Sequence, residues 1–497
     1  MTTEVGPEDR PEATGTPPGR GGALTGSAAL TLHRVVMQAT GLALMLVAAR
    51  FLTPAQFGLL GLVVVTAQIQ QQIAETGWFE YVTNWPRDKV LPAEAFWCAL
   101  ASGVVFTLLG VLTAGVIWLY LKAPDYALAM LILSVTAFTT PIAMVQIGVL
   151  TREGRMGAIG LWMTFCEFIG LGVGLYGLFH GWGIYALVAQ KVSCYTSITL
   201  GCLAMGRWWP AFAAEAREVG EAVRFAWNIL LSRLGTFANS MGGDYIVGYF
   251  LAPNDVGLYR AANRLAGAVA EMISEPTRMV SWSILSRAAE PASGVRQAPQ
   301  ELHLINTTVF MVALPSFVGM ALIADPLLTM LLGEAWRGAA MALSLLCVAR
   351  AFMSALPLTQ PVMSLAGQTG ALPRVMAVLT VINLGLIAGF AWMGLAWAAG
   401  AQIIAGVITL PLFLRLLVRH GGLEWGAMLQ EMARIAVCVG VMAGAVLWAG
   451  ATVGFYPSTA WRTVAAMIAA GGIAYAAALL IVRPLPVRAA LQRLRRR

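Results

Sequence analysis

Phe51-Leu52-Thr53-Pro54-Ala55-Gln56-Phe57-Gly58-Leu59, or FLTPAQFGL, returns later in the chain as Phe250-Leu251-Ala252-Pro253-Asn254-Asp255-Val256-Gly257-Leu258, or FLAPNDVGL. Phe, Leu, Pro, Gly and Leu match at one offset of 199 residues, and that offset also carries Leu32 onto Leu231 and Arg34 onto Arg233. Each copy punctuates a long apolar stretch with a turn signal, since Pro suits the first position of a new helix. The whole chain of 497 residues is of the same kind, 59% hydrophobic and 11% charged, with a mean hydropathy of +0.74. A soluble protein carries roughly a quarter of its residues as charges, and a disordered chain is far less hydrophobic. Both classes are excluded, and the long apolar runs predict an all-α polytopic membrane protein.

The runs divide into about fourteen helices of membrane-spanning length. They are predicted at 27–50, 55–77, 93–120, 126–150, 158–179, 183–206, 224–250, 256–285, 303–332, 339–366, 373–392, 395–418, 430–451 and 459–482. Six spans separate the repeat copies, so both copies enter the bilayer from one side. That makes a parallel repeat, and predicts two pseudo-symmetric six-helix lobes around a central cavity, followed by two extra C-terminal helices. Residues 1–23, rich in Gly, Pro, Thr and Glu, read as a disordered cytoplasmic tail. Residues 24–206 form the first lobe, 207–223 a cytoplasmic linker, 224–419 the second lobe, 420–482 the two extra helices and 483–497 a basic cytoplasmic tail.

The net charge of +8 has its source in the loops. With the N-terminus inside, cytoplasmic connections hold Arg87, Lys89, Arg152, Arg155, Arg207, Arg217, Arg287, Arg296, Arg374 and Arg419, and the tail adds six arginines from Arg483 onward. Outer loops keep little beyond Lys122, Arg337 and Arg462. Lys and Arg collect in cytoplasmic loops of membrane proteins, so both termini are expected inside and no nucleic-acid partner is expected. Cys98, Cys166, Cys194, Cys202, Cys347 and Cys438 have no metal-binding spacing and read as small apolar packing residues. No metal site is expected. Trp78, Trp85, Trp182, Trp208, Trp209 and Tyr456 stand at span ends, where aromatic belts form.

Charges within spans are costly in lipid and face a protein interior or a wet cavity. Ser27, Thr31, Arg34 and Gln38 fall on one face of the first span, and Gln68, Gln71, Gln72 and Glu75 on one face of the second. In the seventh span Arg233, Ser240 and Asp244 share a face. In the eighth, Arg260, Arg264, Glu271, Glu275 and Arg278 fall within about 60° of arc at 100° per residue. The striped spans are the first pair of each repeat, and symmetry would bring them to the cavity. Guanidinium groups stay charged when desolvated and bind phosphates bidentately, so Arg34, Arg233, Arg260 and Arg264 are candidate ligands for an anionic group such as a lipid pyrophosphate. Glu75, Asp244, Glu271, Glu275, Gln38 and Gln72 are candidates for cavity lining, with the acids either pairing with those arginines or serving as coupling groups. Glu167 and Lys191 read as a buried structural pair, and Arg350 has no partner evident in the sequence.

The stretches ARFLTPAQFGLLGLVVV (49–65) and GDYIVGYFLAPNDVGLYRAANRLAG (243–267), with Glu275-Pro276 and the turn PLLTMLLGEAWRGAA (326–340), resemble the polysaccharide transporter family of the MOP flippase superfamily, the Wzx-type flippases. The resemblance covers nearly the whole chain. It implies a MOP/MATE-like fold and a carrier for undecaprenyl-diphosphate-linked oligosaccharide repeat units in the bacterial inner membrane, acting in exopolysaccharide, capsule or O-antigen synthesis. It implies surrounding membrane lipids, and the polymerase and export proteins of the same pathway, as partners. No cofactor is implied, and superfamily analogy points to proton or sodium coupling.

Three further readings stand beside this one. A peptidoglycan-precursor flippase or a drug exporter would share the fold, although an exporter of cationic drugs would prefer an acidic cavity. A membrane glycosyltransferase or polymerase would need a catalytic carboxylate at a lipid-exposed mouth and usually a sizeable outer loop, and neither is evident. A non-transporting scaffold would have little use for buried charge stripes. The expectation is a transporter and not an enzyme.

Overall fold

The computed structural model describes residues 20–86, 91–206, 208, 210, 216–288, 299–354, 356–366, 372–453 and 460–495. Among these residues all regular structure is helical. The helices are α1 (Arg20–Ala48), α2 (Pro54–Glu75), α3 (Trp78–Asn84), α4 (Ala93–Leu121), α5 (Pro124–Arg152), α6 (Met156–Phe179), α7 (Ile184–Met205), α8 (Ala216–Phe250) and α9 (Pro253–Ala288). They continue as α10 (Pro299–Leu322), α11 (Ala324–Leu331), a single 3-10 segment at Glu334–Ala339, α12 (Ala340–Phe352), α13 (Leu356–Leu365), α14 (Leu372–Ala391), α15 (Leu395–Gly421), α16 (Trp425–Val453), α17 (Ala460–Val482) and α18 (Leu485–Arg495).

The all-helical membrane architecture is as expected, and the fourteen expected spans are not equally apolar. Eleven candidate spans are long and apolar enough to cross a bilayer, against the expected fourteen, and α7, α8 and α9 are not among them. Those three carry Lys191, the pair Arg233 and Asp244, and the five-charge stripe. Each charge lowers the apolarity of its helix without stopping the helix from forming, because Arg, Lys and Glu are good helix formers. At 35 and 36 residues, α8 and α9 also run well beyond the ~20 residues that a bilayer needs.

The segment edges differ from expectation in three places. The first helix begins at Arg20, inside the stretch 1–23 expected to be a tail, and residues 1–19 lie outside the described residues. The first turns of α8 occupy part of the expected linker 207–223, and the basic tail 483–497 begins with α18. The buried Glu431 of α16 explains the last of these: its carboxylate accepts from the Arg488 guanidinium and, at 2.8 Å, from the Leu485 backbone N–H at the start of α18. A carboxylate at a helix N-terminus satisfies an orphan donor there and complements the helix dipole.

The chain divides into two compact units. The first comprises 1–41, 67–180 and 185–230. Its core joins Trp78, Tyr81 and Val82 of α3 to Ala95 and Phe96 of α4, Val145 and Val149 of α5, and Ala222 and Ala226 of α8. A left-handed Gly77, φ 92°, turns the chain between α2 and α3, and a Cβ there would meet the Ala226 Cα at 2.6 Å. Trp78 departs from the interfacial-belt expectation: it is buried, with Nε1 donating to the Ala74 carbonyl at 2.8 Å. A second cluster gathers Cys166, Cys194 and Cys202 with Leu150 and Ile159, and all six cysteines are free and buried, as packing residues would be.

The second unit comprises 42–66, 181–184 and 231–497. One apolar cluster packs Val256, Leu258, Tyr259 and Leu265 of α9 with Phe317, Leu328, Trp336, Leu343 and Leu346. Another joins Leu285 to Leu302 and Phe310 of α10, Leu414 and Leu417 of α15, Ile435 of α16 and Val464 of α17. The end of α1 and the first half of α2 belong to this unit, so both copies of the repeated motif lie within it.

Candidate functional site

Both copies fold alike. A helix ends, a short turn follows, and the next helix starts at the repeated proline, Pro54 for α2 and Pro253 for α9. One turn into these helices the copies meet. A Cβ on Gly58 would overlap the Pro253 carbonyl and come within 2.6 Å of the Gly257 nitrogen, and a Cβ on Gly257 would overlap the Pro54 carbonyl. The contact is reciprocal and backbone to backbone, of the kind small residues permit between membrane helices. A third glycine, Gly61, lies under Arg260, and its Cβ would fall 2.6 Å from the guanidinium carbon.

Arg260 is held from the other side by Asp244 of α8, with Nη1 2.7 Å from Oδ2. Both side chains are mostly buried, 16% and 17% exposed. The next residue along α8, Tyr245, donates to Thr66 Oγ1 of α2 at 2.7 Å. One turn deeper on α9, Asn263 accepts from Arg350 Nη2 at 3.1 Å, so the arginine without an evident partner has one. Gln402 of α15 donates to the Tyr259 hydroxyl at 2.6 Å, closing a polar layer behind α9. Glu271 is exposed and stands close enough to Arg264 and Arg350 to feel both charges. Further along, Glu275 pairs with Arg278 at 2.7 Å on an open face.

The predicted residues thus separate into two groups. Asp244 and Arg260 are brought together, and within α9 Glu275 pairs with Arg278. Arg34 on α1, in the first unit, and Arg233 and Arg264, in the second, have exposed side chains. Gln38, Gln72 and Glu75 are partly buried in the first unit, and the side chains of Ser27 and Ser240 lie outside the described residues. In the same unit Tyr195 hydrogen-bonds Gln71 and feels the Glu75 charge. Glu167 is buried there, accepting from Thr40 Oγ1 at 3.4 Å with the Lys191 charge acting on it.

A family described as "Polysaccharide biosynthesis protein" matches residues 47–341, more than half of the chain and all of the repeat contact. The chain belongs to that family. The resemblance to the polysaccharide transporters and Wzx-type flippases is therefore borne out. Among its relatives is the "Succinoglycan biosynthesis transport protein ExoT" of Rhizobium meliloti, 22% identical over 428 residues, which cover 78% of this chain and 85% of that one. The "Teichuronic acid biosynthesis protein TuaB" of Bacillus subtilis is 21% identical over 260 residues, about half of each chain.

Among solved structures, "Lipid II flippase MurJ, inward closed conformation" superposes with a TM-score of 0.69 at 12% identity over 93% of this chain and 99% of that one. An inward-facing multidrug resistance MATE family transporter of the MOP superfamily superposes at 0.55, with 15% identity, over 79% of this chain and 98% of that one. These likenesses show that the chain shares the all-helical fold of those two proteins. Its named relative ExoT is a transport protein, in keeping with a non-enzyme.

Reading the residues alone missed the glycines of the crossing, the Tyr245–Thr66 and Arg350–Asn263 bonds, and the anchor Glu431. Only the first had a signal. The repeat offset equates Gly58 with Gly257 and Gly61 with Arg260, and a shared glycine at equivalent positions of two helices marks a close approach.

Proposed function

We propose that this multi-pass membrane protein is a flippase for undecaprenyl-diphosphate-linked oligosaccharide repeat units, working in the bacterial inner membrane in exopolysaccharide, capsule or O-antigen synthesis. The observation that carries the reading is the set of arginines kept on the polar stripes, on a flippase fold and in a family of polysaccharide biosynthesis proteins. Arg34, Arg233 and Arg264 have exposed side chains, and Arg260 is tied to Asp244. Four such groups suit a diphosphate, which carries several charges and offers planar pairs of oxygens.

In this reading the six-helix lobes at 24–206 and 224–419 alternate in access to a cationic cavity. Residues 420–482 add two further spans, and α7, α8 and α9 cross the bilayer with their charges turned inward. The loop arginines put both termini in the cytoplasm. Asp244, Glu75, Glu271 and Glu275, with Gln38 and Gln72, line the path, and carboxylates among them couple transport to protons or sodium. The pathway's polymerase and export proteins receive the product.

Deletion of the gene in its host tests the reading, with two pools measured together: surface polysaccharide, and complete lipid-linked repeat units facing the cytoplasm. Loss of the first with build-up of the second is expected. Loss of polymer with no complete unit made would sink the flippase reading in favour of an assembly enzyme. Normal levels of both, with lethal depletion and stalled cell-wall precursor, would assign the cargo to peptidoglycan instead.

A further inference from the structure

The repeat is broken at one position where breaking it has a geometric consequence. Gly61 and Arg260 are equivalent under the 199-residue offset, three residues after the equivalent glycines Gly58 and Gly257. Those two glycines touch across the crossing of α2 and α9, so the positions one turn further in also oppose each other. Two arginines there would set two guanidinium groups against one another, and two glycines would leave a gap with no charge. The chain has one of each, and the guanidinium of Arg260 lies on the bare backbone of Gly61.

Arg260 holds donors in reserve. A guanidinium has five N–H donors, and among the described residues the one hydrogen bond recorded for this side chain is Nη1 to Asp244. Its Nε is buried with no hydrogen-bond partner. A buried donor without an acceptor costs about as much as a lost hydrogen bond. A cation serving only as the partner of Asp244 would gain nothing by that, whereas one kept for an incoming anion needs spare donors.

We infer that Gly61 is a positioning residue for anion recognition. It provides the slot that lets a single arginine lie at the junction of the two repeat copies, with Asp244 fixing its orientation, so that the remaining donors of Arg260 serve a diphosphate group. The inference rests on the flippase reading for its ligand and on the repeat contact for its geometry. It makes Gly61, a residue without any functional group, as important to diphosphate binding as the arginine it supports. A side chain at 61 has to push the guanidinium out of its place, because the atoms it meets are the end of the Arg260 side chain, which can swing aside only by leaving the slot.

Two measurements on the full-length protein in nanodiscs test this. The first is a thermal-stability cycle of Gly61→Ala, Arg260→Gly and the double variant. Gly61→Ala is expected to lower the Tm in the wild-type background and to be nearly neutral once the guanidinium is gone. Equal losses in both backgrounds would overturn the slot. The second is binding of undecaprenyl diphosphate, with undecaprenol as the uncharged control. Gly61→Val and Arg260→Ala are each expected to weaken diphosphate binding about tenfold, on the order of one charge-assisted hydrogen bond, to leave undecaprenol unaffected, and not to add in the double variant. Wild-type affinity in Gly61→Val, or losses that add, would overturn the inference while leaving the cargo intact. Failure of the wild-type protein to bind the diphosphate lipid any better than undecaprenol, with the stability cycle as expected, would instead remove the cargo reading.

Discussion

The two copies of FLxP-x3-GL share a backbone and differ in chemistry. Each ends one helix, turns, and starts the next at its proline, and each supplies one glycine to their mutual contact. Around that common frame the second copy carries Asp244, Arg260 and Arg264, where the offset places Met45, Gly61 and Val65 in the first. Backbone contact is under one constraint, room for two helices to touch, and both copies must meet it. Charge is under another, because each ion taken out of water needs a partner. Concentrating the charges in one copy, and leaving small or apolar residues opposite them, satisfies both constraints.

The largest effects are expected at the glycines the two copies share. Gly58→Leu and Gly257→Leu each place a branched side chain against a backbone carbonyl, with no flexible neighbour to yield. Both are expected to abolish surface polysaccharide while the protein still reaches the membrane, as measured by immunoblot of membrane fractions beside polymer assay. Export near the wild-type level in either variant would mean that α2 and α9 need not touch for function.

The divergent part is next. Asp244→Ala leaves the Arg260 guanidinium buried without its acceptor, and a loss of about 2–3 kcal/mol in stability is expected. Asp244→Ala with Arg260→Ala together should recover part of that loss, because no lone charge remains. A double variant as unstable as the sum of the singles would show that the ion pair is incidental. Arg34 and Arg233 are the charges both copies retain, and Arg34→Ala and Arg233→Ala test them. Equal losses of export, about tenfold each, with normal insertion are expected if the two serve one anion from equivalent positions. A large effect from one and none from the other would end the symmetric reading.

How much of this was legible in the residues follows from the same division. Apolar runs set the helices, because length and hydrophobicity alone decide what can sit in a bilayer, and the repeat was legible because a turn at the start of a helix needs particular residues at particular places. The spans over α7, α8 and α9 were legible as helices and fell short as apolar spans, since period and polarity are separate signals. The stripe on α9 was visible as five charges on one face, but not which of them would pair outside the stripe. Arg260 goes to Asp244 and Arg350 to Asn263, and both choices depend on which helix packs behind α9. Trp336 is a similar case. It reads as part of an outer turn, yet it is fully buried, its Nε1 donates to the Ala49 carbonyl at the end of α1 at 3.0 Å, and its ring meets Phe57 edge-on at 5.4 Å. Trp336→Phe keeps the ring and removes the donor, so a loss of about 1–2 kcal/mol is expected, read as a lowered Tm. An unchanged Tm would mean that the Ala49 carbonyl finds another donor.

The smallest expected effect lies at the far end of α9, and it decides whether the stripe acts as a unit. Arg278 and Glu275 pair at 2.7 Å, but their side chains are 36% and 49% exposed, against 16% and 17% for Arg260 and Asp244. An exposed i,i+3 pair gains little Coulomb energy in high dielectric and gives up side-chain freedom to form, so Arg278→Ala should cost less than about 1 kcal/mol. Export should stay near wild type, and added salt should change the small difference further. The sequence puts all five charges of α9 on one arc and so treats them alike; the packing treats them differently, with the buried end against α2 and α8 and the other end open. If Arg278→Ala impaired export as severely as Arg260→Ala, burial would be the wrong guide, and the anion would have to travel along the whole arc instead of being held at the junction of the two copies.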